Sequence, residues 1–362
     1  MRIALLQPSY WPEVRRGSER LVHDLGATLA ARGHEVTLIT SHRGPTSRAV
    51  EDGMLVIRAR RPPRLSPLRW YEDHVDSMPQ MAWHLLRGRF DVAHAFHPAY
   101  ARAAIKARRL GGPPVVFSFH GIPERAYLVS RRYRLEMMQA IVAGAALSSV
   151  LSEAAAEVFR RYLLIEPLVL PGGVIGRSFA VEAERAPAPT VLCAASLGDP
   201  RKRADLLFAA FARLRERRPG AELVLVRTPD PVMSPLEVAP PPGARWVEAD
   251  ATEAIARAYA SAWATVLPAV GEAFGLVLLE SLAAGTPVVC ARAGGPPEIV
   301  SDERIGRLFE PGDVDGLVAA LEGALDLAGD PEVRALCRAR AADFDWSRIV
   351  ERYEDAYASV VA

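Results

Sequence analysis

Two carboxylates eight residues apart are the first side chains in this sequence that could do chemistry. Glu272 precedes an apolar stretch, and Glu280 lies within it, because residues 274–285 are apolar apart from Glu280 and Ser281. A helix that is apolar on all sides is normally buried, and a buried carboxylate is costly unless it is paired. Glu280 therefore predicts a partner, for which a polyhydroxyl or amide-bearing ligand is one candidate. Glu272 lies where a loop meets a helix N-terminus, whose unpaired N–H groups can receive a phosphate.

One lysine is a second candidate for binding an anion. The chain has only two lysines, Lys106 and Lys202, against 42 arginines. Asp199 and Pro200 are typical of a helix cap followed by a first-turn proline, which places Lys202 near a helix N-terminus. In a chain that uses arginine almost everywhere, this lysine indicates that a compact point charge is needed. The alternative is a solvated surface lysine.

One histidine follows a predicted strand. His120 comes directly after the apolar segment Val115 to Phe119, at the carboxyl end of that strand, and all eight histidines lie at or before it. A structural histidine is the alternative. His94, His97 and His120 could be imagined as metal ligands, but their spacing is not a zinc motif, so we predict no metal site.

The elements that position these residues alternate between apolar runs and helical patterns. Such βα units predict an α/β fold with parallel sheets and helices on both faces. A helix is expected from Ser18 to Ala31. The strands expected in the first half are residues 2–6, 36–39, 54–57, 92–96, 115–119, 147–151 and 168–170.

A second set of elements follows a polar, proline-containing stretch at 181–190, which we interpret as an interdomain linker. The strands expected there are residues 191–194, 223–226, one near Trp246, 264–267 and 288–291, and the helices are 204–217, 313–327, 331–342 and 345–360. The length of 362 residues also favours two domains. Because ligands bind outside the carboxyl ends of parallel strands, we expect the site in a cleft between the domains.

Composition excludes several classes of protein. No segment approaches the length of a membrane span, and the apolar run at the N-terminus is too short for a secretory signal. Cys193, Cys290 and Cys337 are far apart, so we expect them to be reduced and mostly buried. The net charge of +1 and the absence of a recognition motif disfavour nucleic acid.

The charge is nevertheless unevenly distributed. Residues 1–175 contain 24 basic and 15 acidic side chains, whereas residues 176–362 contain 20 and 28. This excess indicates an anionic acceptor or a membrane surface as a partner, with a solvated face as the alternative. Its clusters are Arg58, Arg60, Arg61, Arg64 and Arg69, and then Arg125, Arg131, Arg132 and Arg134 among Tyr127, Leu128 and Tyr133.

The motifs around the two glutamates resemble a known family. Glu272 and Glu280 stand in EAFGLVLLESLAAGTPVV, which is followed by GGPPEIV at 294–300. This E-x7-E pattern resembles the donor-site signature of retaining GT-B glycosyltransferases of family four, a family that includes bacterial mannosyl- and glucosyltransferases. Further matching pieces, in order, are RGHEV at 32–36, FHG at 119–121, LSE at 151–153, LPGGV at 170–174, GRLFEPGD at 306–313 and DW at 345–346.

The resemblance implies a fold and a role for each domain. It implies two Rossmann-like domains facing a central cleft, with a C-terminal helix that crosses back to the first domain. Residues 1–178 with helix 345–362 would bind the acceptor, and residues 190–344 would bind a UDP-, GDP- or dTDP-sugar.

The resemblance also implies roles for individual residues. Glu280 would accept hydrogen bonds from the ribose, and Glu272 would bind hydroxyls of the donor sugar. Lys202 would bind the diphosphate, and His120 would contact the donor sugar or the acceptor near the reacting centre. The further donor-binding positions are Gly17, Arg201, Ala273, Phe274, Gly275 and Leu276, of which the last three would cradle the sugar and diphosphate with backbone N–H groups. Structural roles for Glu272, as a helix cap, and Glu280, paired with an arginine, are the alternative.

The sequence departs from the family pattern near Lys202. Ser196 stands where an arginine is usual, and Arg203 replaces a glycine. Arg227-Thr228-Pro229-Asp230 replaces G-D-G-P, Arg16 replaces the first glycine of G-G-x-E, and Ile175 replaces an aspartate. These changes leave the diphosphate clamp and the choice of nucleobase open.

The activity implied by the resemblance is retaining sugar transfer from a nucleotide-diphosphate donor to an acceptor hydroxyl. It would need no cofactor, metal or protein nucleophile, and the domains would close about the 181–190 linker. One alternative is a catalytically impaired nucleotide-sugar-binding regulatory or partner protein. Another is an epimerase or phosphorylase of the same fold. The expected location is the cytoplasm, with possible peripheral contact at the inner membrane face.

Overall fold

The computed structural model describes residues 1–14, 16–61, 74–227, 236, 238–248 and 251–361 of the chain. These residues form two compact units. Unit 1 comprises Met1–Pro171 and Trp346–Ala362, and unit 2 comprises Gly172–Asp345. Each unit has its own sheet, so the predicted α/β class with two parallel-sheet domains is confirmed.

Unit 1 contains an eight-stranded sheet. Its strands are β1 (Arg2–Leu6), β2 (Glu35–His42), β3 (Ser47–Glu51), β4 (Met54–Arg60), β5 (Val92–Ala95), β6 (Val115–Phe119), β7 (Leu147–Val150) and β8 (Leu168–Val169). Their order is β3-β4-β2-β1-β5-β6-β7-β8, and every pair is parallel except β3 with β4. The switch point of this doubly wound sheet therefore lies between β1 and β5, where Ile3 pairs with both Val36 and Val92.

The helices of unit 1 cover the faces of this sheet. They are α1 (Gly17–Ala31), α2 (Met78–Arg87), α3 (Pro98–Arg108), α4 (Arg125–Val129), α5 (Arg132–Gly144), α6 (Glu153–Leu163) and the last helix of the chain, α14 (Trp346–Val361). A short 3₁₀ helix, Val75–Ser77, precedes α2. The apolar stripe of α1 predicted from sequence is buried at Leu21, Val22, Leu25 and Leu29.

The last helix, α14, is anchored in unit 1 by buried tyrosines. The Tyr353 hydroxyl donates to the carbonyl oxygens of Leu170 and Pro171, at 3.2 Å each. The Tyr357 hydroxyl lies 2.7 Å from Nδ1 of His94, in the middle of β5. The C-terminal segment thus belongs to the same unit as the first strand.

Unit 2 contains a six-stranded parallel sheet. Its strands are β9 (Thr190–Cys193), β10 (Glu222–Arg227), β11 (Ala244–Glu248), β12 (Ala264–Leu267), β13 (Val288–Ala291) and β14 (Gly306–Phe309), in the order β11-β10-β9-β12-β13-β14. Its helices are α7 (Gly176–Phe179), α8 (Ala204–Arg217), α9 (Thr252–Ser261), α10 (Leu276–Ala283), α11 (Pro296–Ile299), α12 (Val314–Leu327) and α13 (Val333–Ala342). The switch point lies between the paired strands β9 and β12.

Two boundary predictions were wrong. The stretch predicted as a linker, residues 181–190, lies inside unit 2. There the Arg185 guanidinium donates to Thr286 Oγ1 at 2.7 Å, to the Gly285 carbonyl at 3.0 Å and to the Ala262 carbonyl. Burial lowers the pKa of Arg185 to about 10. The Arg185 side chain is therefore hydrogen-bonded within unit 2.

Residues 172–178, assigned by sequence to the first domain, also belong to unit 2. The Val174 amide donates to the Phe344 carbonyl at 2.9 Å, and Val174 forms a parallel bridge with Asp345. The chain therefore crosses between the units at 171/172 and at 345/346, not at 181–190.

Two strands are additional to those expected. β14 is the first half of the GRLFEPGD motif and pairs with β13. β3 forms a hairpin with β4 around Asp52 and Gly53, both of which have positive φ angles. The Asp-Gly pair is a hairpin signal that sequence reasoning could have used.

Candidate functional site

The loops after β9 and β12 bring Lys202 and Glu272 together in unit 2. The two strands are neighbours, with Thr265 opposite Leu192. Because their chains leave the sheet at the same edge, the loops that follow meet at the switch point. The Val270 amide donates to the Arg201 carbonyl at 2.9 Å, so the two loops are joined through their backbones.

The Lys202 ammonium forms an ion pair with the Glu272 carboxylate at this point. Their side chains are 18% and 20% exposed, so both groups remain accessible to a ligand. Lys202 ends a short 3₁₀ helix, Pro200–Lys202, which begins at the capping residue Asp199. The Asp199 carboxylate accepts from the Arg201 amide at 3.0 Å, so the predicted cap and first-turn proline are confirmed.

Glu280 is buried on α10 and is hydrogen-bonded to a residue that the sequence did not indicate. Glu280 is only 3% exposed. The Tyr259 hydroxyl, on α9, donates to Glu280 Oε2 at 2.9 Å. Tyr259 is itself fully buried. Glu280 therefore has a tyrosine among its partners, whose neutral hydroxyl stabilises the carboxylate.

Gly275 caps the N-terminus of α10 in a backbone conformation that favours glycine. Its φ is 104°, and it precedes the first helical residue, Leu276. The N–H groups of the first helical turn have no partner within the helix, so they can bind an anion. Ala273 and Phe274 are buried, and the Phe274 ring packs edge-on against Phe344 at 5.9 Å. The predicted N-terminus of this helix is thus formed beside Glu272.

A third loop, which follows β13, closes on the loop of Glu272. The Gly295 amide donates to the Glu272 carbonyl at 3.0 Å. A Cβ atom at position 295 would lie only 2.2 Å from the Ala273 carbonyl oxygen. Only glycine fits there without a shift of the backbone. The GGPPE motif therefore has a packing role next to the candidate site.

The departures from the family pattern have structural counterparts. Arg203 occupies a left-handed conformation with a φ of 50°, which explains why a glycine is usual at this position. Its guanidinium pairs with Asp205 at 2.8 Å. Arg201 is 60% exposed and pairs with Asp199 at 2.6 Å. Residues 228–230 lie outside the described residues.

The segment next to Ile175 contacts an aspartate that is distant in sequence. Asp345 Oδ2 accepts a hydrogen bond from the Gly176 amide, at 3.0 Å, at the first residue of α7. The carboxylate thus comes from the DW motif near the end of the chain. Sequence spacing could not show this contact because the two residues are 169 positions apart.

In unit 1, the N-terminus of α1 lies after β1 and is fixed by a buried carboxylate. Glu19 is 4% exposed. It accepts hydrogen bonds from Ser9 Oγ at 2.8 Å, from Gln7 Nε2 at 3.3 Å and from the Arg16 amide at 3.3 Å. Gly17, a predicted donor-binding residue, is the first residue of this helix and is exposed.

His120 lies at the carboxyl end of β6, as predicted, and contacts α1. Ser18 Oγ is 2.8 Å from His120 Nδ1. The other ring nitrogen, Nε2, is buried and has no hydrogen-bond partner among the described residues. Burial lowers the pKa of His120 to about 3, so its imidazole is neutral at neutral pH. Ser18 is a contact that sequence reasoning missed.

The other two histidines considered as metal ligands have protein partners. His94 Nε2 lies 2.6 Å from Ser118 Oγ, which in turn contacts Ser149 Oγ. His97 Nδ1 accepts from the Ala99 amide at 3.2 Å and so caps α3. No group of three or more His, Cys, Asp or Glu side chains within the described ranges is arranged to hold a metal ion.

The basic clusters are partly engaged in unit 1. Arg58 forms a bidentate pair with Glu51 at 2.6 and 2.8 Å, and Arg61 donates to Ser41. In the second cluster, Arg134 stacks over Tyr127 at 4.8 Å, and Arg125 is exposed. Arg64, Arg69 and the Arg132 side chain lie outside the described residues.

Two further expectations can be compared with the structure. All three cysteines are free and buried, as predicted. None of the helices in the described part of the chain combines the length and apolar composition that a membrane span requires.

Two family models match this chain. A model of "Glycosyltransferase Family 4" matches residues 15–175, and a model of "Glycosyl transferases group 1" matches residues 188–326. Among sequence relatives, the MMP alpha-(1->4)-mannosyltransferase of Mycolicibacterium hassiacum is 32% identical over 305 residues. That alignment covers 76% of this chain and 73% of the relative.

Solved structures match the fold over nearly the whole chain. The sucrose-phosphate synthase of Thermosynechococcus elongatus has a TM-score of 0.83 at 23% sequence identity. The alignment covers 99% of this chain and 98% of the synthase chain. Anabaena HepE, solved in complex with UDP-glucose, has a TM-score of 0.74 at 17% sequence identity. The alignment covers 99% of this chain and 100% of the HepE chain. These similarities identify the fold as GT-B.

Proposed function

Since the chain belongs to the family 4 glycosyltransferases, we propose that it transfers a sugar from a nucleotide-diphosphate donor with retention of anomeric configuration. The observation that carries this proposal is the Lys202–Glu272 pair at the switch point of unit 2. A cation for the diphosphate and a carboxylate for sugar hydroxyls stand there side by side. The start of α10 lies next to them.

In the proposed donor complex, the diphosphate binds between the Lys202 ammonium and the first N–H groups of α10. The N–H groups of Gly275 and Leu276 lie at the N-terminus of α10 and point towards the anion. The partial positive charge of this helix end stabilises the negative charge of the diphosphate. Glu272 accepts hydrogen bonds from hydroxyls of the sugar, and Glu280 accepts them from the ribose. The complex of HepE with UDP-glucose supports a donor of this class. UDP-, GDP- and dTDP-sugars are all candidates.

In the proposed transfer step, the bond between the anomeric carbon and the β-phosphate oxygen breaks. The acceptor oxygen forms its new bond to the same face of that carbon. The acceptor proton moves to an oxygen of the departing diphosphate, so the products are the glycosylated acceptor and the nucleoside diphosphate. Charge develops on the leaving group in this step, and preorganised donors such as Lys202 and the α10 N–H groups stabilise it. The step needs no protein nucleophile, cofactor or metal.

The direct test uses purified protein and a panel of UDP-, GDP- and dTDP-sugars. A thermal shift identifies the donor, and release of the nucleoside diphosphate measures turnover. Glu272→Ala and Lys202→Ala should each reduce transfer strongly, and EDTA should leave transfer unchanged. Unchanged transfer in both variants would contradict the proposal. Calorimetry that shows nucleotide binding without donor hydrolysis or transfer would instead support a catalytically impaired binding protein.

We further propose that unit 1 binds an anionic acceptor. Arg125 is exposed, and Arg131 and Arg134 lie near it on the same short segment. Such a cluster attracts phosphate-bearing groups, either free or in a lipid headgroup. Flotation with anionic and neutral liposomes, alongside soluble phosphorylated acceptors, separates the two sources. Failure of both anionic liposomes and phosphorylated acceptors would remove this part of the proposal.

A further inference from the structure

Ser18 and His120 form a hydrogen bond between the first turn of α1 and the end of β6. The two atoms, Ser18 Oγ and His120 Nδ1, are 2.8 Å apart although the residues are 102 positions apart in sequence. In the sequence, Ser18 lies between Gly17 and Glu19, at the position that the G-G-x-E pattern leaves unspecified.

The position of Ser18 is rigidly defined by the next residue. Glu19 is buried and holds hydrogen bonds from Gln7, Ser9 and the Arg16 amide. These contacts fix the first turn of α1 to the loop after β1. The imidazole is held from another side by Phe96, whose ring centroid lies 5.1 Å from that of His120. The orientation of the His120 ring is therefore set by its neighbours.

The second ring nitrogen differs from the first. His120 Nε2 is buried and makes no hydrogen bond to any of the residues that the structure describes. An unsatisfied buried polar group is costly, so each such group in a native protein needs an explanation. At the carboxyl end of a strand in a doubly wound sheet, a ligand group is the natural partner.

The electrostatic environment selects one tautomer of this ring. A helix N-terminus carries partial positive charge, so it favours the lone pair of an imidazole nitrogen over its N–H. Nδ1 is the nitrogen that faces the start of α1, through Ser18. In the tautomer favoured by this charge, the Ser18 hydroxyl donates to Nδ1, and the ring proton resides on Nε2.

We propose that Ser18 is a positioning residue that holds His120 as the Nε2–H tautomer, so that Nε2–H donates to a hydroxyl oxygen of the acceptor that unit 1 binds. The proposal rests on the proposed glycosyl transfer. It assigns Ser18 no contact with substrate. Ser18 acts only through the orientation and tautomer of His120.

The kinetic test is a double-mutant cycle on transfer. Ser18→Ala should lower kcat about tenfold, the scale expected when one hydrogen bond to a reacting group is misplaced. Ser18→Thr, which keeps the hydroxyl, should restore most of the loss. In a His120→Ala background, Ser18→Ala should have no further effect, because the two residues act as one unit. Independent, multiplying effects would overturn the proposal.

Two controls separate positioning from folding. Ser347 is the second residue of α14, as Ser18 is of α1, and it is exposed. Ser347→Ala should keep wild-type kcat. The affinity of Ser18→Ala for the nucleoside diphosphate should also stay unchanged, because Lys202 and Glu272 lie in the other unit. A loss of nucleotide affinity in Ser18→Ala equal to the loss of kcat would indicate unfolding rather than positioning, and would overturn the proposal.

A spectroscopic test does not depend on turnover. In protein with isotope-labelled histidine, the ring nitrogen shifts should identify His120 as the Nε2–H tautomer, with His120→Ala used for assignment. Ser18→Ala should change the tautomer ratio, whereas Ser347→Ala should not. An Nδ1–H tautomer in the wild-type protein would overturn the proposal. The expected shifts in a protein that transfers no sugar would contradict the proposed function alone.

Discussion

The Lys202 ammonium contacts the Glu272 carboxylate across 70 residues of sequence. Each group neutralises the other in the absence of a ligand. A nucleotide-sugar that places its diphosphate on Lys202 and its sugar hydroxyls on Glu272 would supply both with new partners. The ion pair thus holds the ammonium and the carboxylate in position, and both remain accessible to the ligand.

Replacing Lys202 tests this arrangement most directly. Lys202→Met removes the charge but keeps the length of the side chain, so we expect the affinity for nucleoside diphosphate to fall by about tenfold or more, the size of one charge-assisted hydrogen bond. Isothermal titration calorimetry with the best donor nucleotide measures it. Lys106→Met is the matched control, since Lys106 is the other lysine of the chain and is exposed on α3. Equal affinities in the two variants would show that Lys202 does not bind the diphosphate.

The Tyr259 hydroxyl should matter both for stability and for nucleotide binding. Tyr259→Phe leaves the buried Glu280 carboxylate without this donor, which should cost about 1–3 kcal/mol of unfolding free energy. Nucleotide affinity should fall as well, because Glu280 loses its orientation. Urea unfolding and calorimetry measure the two effects.

Tyr353→Phe provides the contrast for that experiment. Tyr353 also donates from a buried hydroxyl, but to backbone carbonyls in unit 1. We expect a comparable loss of stability with unchanged nucleotide affinity. If both variants reduce affinity equally, the effect of Tyr259→Phe reflects general destabilisation and not the ribose contact proposed for Glu280.

Much of the fold could be predicted because local patterns decide it. Apolar runs separated by amphipathic helical patterns predicted the strands β9, β12 and β13. The same alternation predicted that the second sheet is parallel. The cap at Asp199 and the start of α10 were also predictable, since caps depend on a few adjacent residues. The sheet order then brings Lys202 and Glu272 to one edge.

Contacts between distant residues could not be read from the sequence in the same way. The buried Glu280 predicted a partner, but nothing local indicates Tyr259 on another helix. Asp345 contacts the Gly176 amide, and Ser18 contacts His120, only after the chain has folded. The linker prediction at 181–190 was wrong because composition does not show that Arg185 finds buried carbonyl partners.

Gly275 should tolerate no side chain without a loss of stability. At a φ of 104°, an alanine costs about 1–2 kcal/mol from backbone strain. Its Cβ would also lie 3.2 Å from the Leu278 side chain. Gly275→Ala should therefore unfold at lower urea concentration and bind nucleoside diphosphate more weakly, since the strain displaces the N–H groups at the start of α10.

Gly312→Ala separates strain from binding. Gly312 has a φ of 86° in the same unit, and a Cβ there meets no atom within 4 Å. It should lose a similar amount of stability and keep its nucleotide affinity. A Gly275→Ala variant with wild-type affinity would exclude the α10 N-terminus from the phosphate site.

His97 should make the stability of unit 1 depend on pH. Burial lowers its pKa to about 4, compared with about 6.5 in an unfolded chain. Because the unfolded state binds the proton more readily, unfolding free energy falls as pH decreases from about 6.5 towards 4. The loss from this residue alone should reach about 2 kcal/mol at pH 5. Urea unfolding at pH 7.5 and pH 5 measures this loss.

His97→Asn should remove this part of the pH dependence while keeping the helix cap. The His97 ring accepts from the Ala99 amide at the start of α3, and asparagine is among the best residues for that role. We therefore expect the variant to match the wild type at pH 7.5 within about 1 kcal/mol and to exceed it at pH 5. His94 and His120, whose pKa values are also lowered by burial, remain and should keep the rest of the acid sensitivity. If both proteins lose the same free energy between the two pH values, His97 is not kept neutral by the fold.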